Sequence, residues 1–150
     1  MQTAPGPNDV AQVPGGDAPA GSISIAVDRK LGFVRLVSQG FYSPEYIRAH
    51  FRKLERVLMD MRRETPRIRA LVDLTKASVQ SPDSAEQIKI STARMHRAVD
   101  EVVILQKSAL MAMQMRRVVG NENCVIVSSI EEASACLKLD LNSVDCSIVQ

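Results

Sequence analysis

The stretch Ile68-Arg69-Ala70-Leu71-Val72-Asp73-Leu74 decides the fold. It is a short, mostly apolar run bounded by Pro66 and by the polar residues Thr75 to Gln80, which predicts a buried strand. Ser81-Pro82-Asp83 follows as a helix start. The serine can cap, the proline suits the first helical position, and the aspartate complements the helix dipole. One helix length further on comes a second apolar run, Val102-Val103-Ile104-Leu105. Strand, helix and strand in that order imply parallel pairing through a right-handed crossover.

Upstream, Ser43-Pro44-Glu45 is a start signal of the same design. Ile47, Phe51, Leu54, Leu58 and Met61 then recur at spacings of four and three, one apolar stripe on a helix that Pro66 closes. Ahead of it, Ile23, Ile25 and Val27 alternate with Ser24 and Ala26. Asp28 to Gly32 reads as a turn and Phe33 to Val37 as a second strand, so the two form an antiparallel hairpin. In Val34-Arg35-Leu36 the arginine marks a partly solvated sheet face.

Downstream, the second helix is expected to reach about Val99, with Ile88, Met95 and Val99 turned inward. Ser108 caps a third helix that ends at Gly120. Asn123 to Val127 is a fifth strand, and Ser128, Ser129, Glu131 and Glu132 supply overlapping capping boxes for a fourth helix to Leu137. The remainder is either a mobile end or a short edge strand. The expected architecture is α/β: a mixed, mostly parallel sheet of about five strands with four helices, in the order β-β-α-β-α-β-α-β-α.

The expected organisation is a disordered tail over residues 1–22, a domain over 23–138 and an extension over 139–150. The tail is rich in Pro, Gly and Ala and holds few large apolar residues, too few to offset the entropy of ordering. The domain is long enough to sustain one core without staples.

Several functions are disfavoured by composition. A net charge of +2 is too weak to argue for nucleic acid, and Trp is absent, which leaves little for stacking bases. Cys124, Cys136 and Cys146 are odd in number, far apart and without a C-x-x-C pair, which speaks against a disulfide framework and for a reducing compartment. His50 and His96 have no second ligand at helical spacing, so no metal is expected. No apolar run approaches a membrane span, and the N-terminus lacks the basic and apolar regions of a secretory signal. A cytoplasmic protein is expected. No nucleophile elbow, P-loop, dinucleotide fingerprint or zinc-protease motif occurs, so neither enzymatic activity nor a cofactor is expected.

The element order, the strand ending in Asp73-Leu74-Thr75, and the strand Cys124 to Val127 leading into Ser129-Ile130-Glu131-Glu132-Ala133 resemble the STAS domain, in particular the small bacterial STAS/SEC14-like or SpoIIAA-like branch. The resemblance covers about Ile23 to Leu137. It implies a regulatory module that acts by protein contact. In the antagonist members a strand ending in Asp-Leu-Ser leads to Met-Asp-Ser-Ser-Gly-Leu, whose first serine is phosphorylated by a partner kinase. Counted from Asp73 without gaps, Pro82 stands at that serine, Ser81 at the preceding Asp, and Ser84-Ala85 at the Gly-Leu. The switch residue is therefore not carried over, and Ser81 or Ser84 could serve only after a shift of one or two residues.

Three surfaces emerge as candidates. The loop after the third strand, with Thr75, Ser78, Ser81 and Ser84, lies where open α/β sheets bind ligands and where a helix N-terminus favours phosphate. Asp83 and Glu86 would oppose an added phosphate, and Ser81 is equally explained as a cap. The first helix carries Arg48, Arg52 and Arg56, then Arg62 and Arg63, an anion-binding or merely solvated face interleaved with Glu45, Glu55, Asp60 and Glu64. In the third helix Met111, Met115 and Val118 share one face while Leu110 and Met113 lie on another, an apolar arc wider than one sheet face needs. Leu110 and Met113 are the expected interface residues of a homodimer. The expected function is a non-enzymatic STAS-like interaction module; the alternative is a small lipid or hydrophobic-ligand carrier of SEC14-like type, for which so small a domain has little spare volume.

Overall fold

The computed structural model describes residues 21–119 and 124–150. The expected tail, apart from its last two residues, and the expected helix end at Gly120 and strand start at Asn123 lie outside the described residues. The elements are β1 (Ser22–Asp28), β2 (Phe33–Gly40), α1 (Pro44–Met61), β3 (Arg69–Ala77), α2 (Pro82–Met95), β4 (Glu101–Leu105), α3 (Ala109–Val119), β5 (Cys124–Val127), α4 (Ile130–Leu137) and β6 (Ser147–Ile148). They form one mixed sheet ordered β5-β4-β3-β2-β1-β6. β1 pairs antiparallel with β2 and β6, and β2 to β5 are parallel.

The sixth strand is the short edge strand that was one of the two outcomes expected for the C-terminal residues. Ala26 and Val27 of β1 pair with Ile148 and Ser147, so part of the extension covers the sheet edge. β3 is also longer than expected. A register shift between Val37 and Gln39 lets β2 continue, and Gly40 still pairs with Ala77, which draws Thr75 to Ala77 out of the expected loop. α2 ends earlier, at Met95, because His96 is extended and the chain must turn at Arg97–Asp100 into β4. Val99 is accordingly exposed, not inward.

Alternation along the strands divides the core between two faces. On one, Phe33, Leu71, Val103, Leu105 and Val127 meet Ala133 and Leu137 of α4 and then Leu141. Arg35 also belongs to this covered side: its guanidinium donates to the Leu141 carbonyl at 3.1 Å. On the other face, Val34 and Leu36 pack under Leu54, Leu58 and Met61 of α1, and Ile104 packs under Met111, Met115 and Val118 of α3. α2 lies on this same side and is poorly suited to fill it. Its inward stripe runs Ser84, Ile88, Ser91, Met95; only the two serines are fully buried, and the two large residues are half-exposed.

The caps follow the sequence. The hydroxyls of Ser43, Ser81 and Ser129 accept from the N–H groups of Tyr46, Ser84 and Glu132. The Glu132 carboxylate accepts from Ser128, which holds its pKa below the usual carboxylate value. Gly32 closes the hairpin turn at φ +63, where a side chain would also strike Thr65.

Candidate functional site at the carboxyl end of the sheet

Gln80 ties three segments together where the parallel strands end. Its side-chain amide donates to the carbonyls of Gly40 (3.0 Å) and Ser78 (2.6 Å), and its side-chain oxygen accepts from Tyr42 N (3.0 Å). Its backbone exchanges two hydrogen bonds of 2.9 Å with the side chain of Gln114 in α3. Every one of these bonds is neutral. They fix the end of β2, the loop from β3 to α2, and α3 relative to one another.

Four apolar residues are exposed around this knot: Phe41 (53%), Val79 (41%), Leu110 (66%) and Met113 (47%). Phe41 sits between two partners of Gln80, Val79 precedes it, and Leu110 lies one turn before Gln114, with Met113 beside it. The two α3 residues thus stand on its exposed face.

The residues of the expected serine and threonine set differ in exposure and in partners. Thr75 is exposed on β3, and both its N–H and its hydroxyl donate to Asp73 Oδ1. Ser78 is half-buried, its N–H bonded to the Gly40 carbonyl. Ser81 is exposed and is the α2 cap. Ser84 is 1% exposed and its hydroxyl donates to the Tyr42 carbonyl at 2.6 Å, out of reach of a modifying enzyme. Phe41, Val79, Gln80 and Gln114 were not singled out by the sequence; the two glutamines acquire their place chiefly from partners more than 30 residues away.

Behind the knot, between the sheet and α1, α2 and α3, lies a cavity of about 190 Å³. Its walls are chiefly aliphatic, among them Leu36, Leu54, Val72, Ile104 and Met111. Ser38, Tyr42 and His50 add polar groups. Burial lowers the His50 pKa to about 4, with Lys53 adding to the shift, so the imidazole is neutral near pH 7. Burial likewise raises the Tyr42 phenol, partly offset by the Ser38 hydroxyl. Cys124, half-buried, also lines the cavity, and burial pushes its thiol up.

The three cysteines are free thiols, and among the described residues no group of three or more His, Cys, Asp or Glu could hold a metal. No helix among those residues is long and apolar enough to cross a membrane. The arginine face of α1 is reduced by one: Arg62 turns in and pairs with Asp100, both largely buried.

No family model and no curated protein matches the chain. Solved structures do. An uncharacterized DUF3478-family protein with a SpoIIAA-like fold from Shewanella loihica PV-4 is similar at TM-score 0.58 and 17% identity, over 79% of this chain and 93% of that one. An anti-sigma factor antagonist from Mycobacterium paratuberculosis is similar at TM-score 0.56 and 10% identity, over 78% of this chain and 95% of that one. The fold is therefore SpoIIAA-like. A SpoIIAA-like fold is what the sequence resemblance implied.

Proposed function

We propose that this chain is a non-enzymatic regulatory module that works by protein contact at the carboxyl end of its sheet, with a second copy of itself as the partner. The observation that carries this reading is the group Phe41, Val79, Leu110 and Met113 around a neutral hydrogen-bonded knot. Monomers avoid leaving such a group bare, and a two-fold dimer buries the same patch from both subunits. The likeness in fold to an anti-sigma factor antagonist supports a role by protein contact. The free cysteines suit a reducing, cytoplasmic setting. Ser81 is the one reachable hydroxyl of the α2 start, and a phosphate there would face Asp83 and Glu86. Size-exclusion chromatography tests the reading. Leu110→Lys or Met113→Lys should weaken self-association more than about tenfold, because a charge would be desolvated in the interface.

The cavity favours a second reading, a carrier of a small hydrophobic ligand. Its volume answers the objection that so small a domain has no room, provided the ligand is small.

A further inference from the structure

Next to the cavity, a hollow of about 230 Å³ opens between α1 and α2. Arg48, Arg52 and Arg94 line it, and Glu55 is the one carboxylate among its lining residues. Arg48 is engaged, donating to Gln87 at 3.0 Å and lying 3.8 Å from Glu45. Among the described residues Arg52 and Arg94 meet no carboxylate within ion-pair distance. Three arginines from two helices thus line one hollow, and two of them have no ion-pair partner among the described residues.

Phe51 and Met95 line both this hollow and the apolar cavity. Each is half-buried, one from α1 and one from α2. They are the wall between a cationic space and an apolar one. From α2 the cavity beyond them is lined by Ile88, Thr92 and Met95, and His50 within it is neutral near pH 7. Asp100, at its border, is already paired with Arg62.

We propose that the two hollows are one site for an amphiphile with a carboxylate head and an unbranched apolar tail. The arginines take the head, and the tail passes between Phe51 and Met95 into the cavity. This rests on the reading that the cavity holds an apolar ligand and names its class. Guanidinium groups bind carboxylates through paired, charge-assisted hydrogen bonds. Benzene fits an apolar cavity of about 150 Å³, so 190 Å³ suits a tail of roughly eight carbons.

Isothermal titration of the full chain at low salt and neutral pH, with octanoate, octanol and acetate as probes, tests this. Octanoate should bind about tenfold more tightly than octanol, the worth of one good charged contact. Acetate should not compete with it. Arg52→Gln combined with Arg94→Gln should erase the advantage of octanoate and leave octanol binding unchanged; both side chains are exposed, so the fold should persist, as circular dichroism would verify. Equal binding of octanol and octanoate would overturn the role of the arginines and leave the cavity reading standing. Binding of neither would overturn both. Acetate competing as well as octanoate would show an anion site independent of the cavity, also contrary to the proposal.

Discussion

The two ends of the parallel strands are closed in opposite ways. At the amino end the closure is ionic. Arg62 pairs with Asp100, Arg67 with Glu101 at 2.6 Å, and Arg29 with Asp60 at 2.7 Å. Asp100 also accepts from Ile68 N at 3.1 Å, so one buried carboxylate fastens α1 to β3 and β4. At the carboxyl end the closure is the neutral Gln80 knot, surrounded by exposed apolar side chains. Exposed ion pairs are content in water and gain little from a partner. Exposed apolar groups gain from being covered. The difference assigns stability to one end and contact to the other.

The largest expected effect lies at the ionic end. Asp100→Ala leaves Arg62 buried without its partner and Ile68 N unsatisfied, and should cost about 3 kcal/mol or more in urea unfolding. A loss under about 1 kcal/mol would mean that this end is not fastened as described.

His50 lies between the two ends, in the cavity wall. The unfolded chain takes up its proton near 6.5, the folded chain only near 4. Between those values the unfolded state binds more protons, so stability is intact above pH 6.5 and falls as pH drops toward 4. The residue's share should approach about 3 kcal/mol. His50→Leu should flatten that part of the pH–stability curve, and an unchanged slope would contradict the assignment.

At the neutral end the costs should be smaller. Gln80→Ala removes three side-chain hydrogen bonds and should cost about 2 kcal/mol. Ser81→Ala should cost about 1 kcal/mol, the worth of a helix cap, by thermal unfolding. If Ser81→Ala left stability untouched but abolished a partner interaction, Ser81 would act as a switch and not as a cap.

Local signals carried most of the architecture. Of the stripe Ile47, Phe51, Leu54, Leu58 and Met61 all but the half-buried Phe51 are buried, and the serine caps Ser43, Ser81, Ser108 and Ser129 stand where the sequence placed them. β6 was legible only as one of two outcomes, because two residues become a strand only when β1 offers an edge. The end of α2 was also hidden, since it is set by Asp100 reaching Arg62 and Ile68. The Gln80 knot joins residues from three elements, and a glutamine in a loop carries no mark of that. The cavity was not legible, because its lining comes from residues on the sheet, α1, α2 and α3 that meet only in the folded chain.

Sedimentation equilibrium of the wild type up to high micromolar concentration, beside Met113→Lys and Arg67→Ala, tests the contrast between the ends most directly. The wild type and Arg67→Ala should self-associate alike while Met113→Lys stays monomeric with stability within about 0.5 kcal/mol of the wild type. A wild type that sediments as a clean monomer throughout that range, or an Arg67→Ala variant that loses association as fully as Met113→Lys, would contradict it.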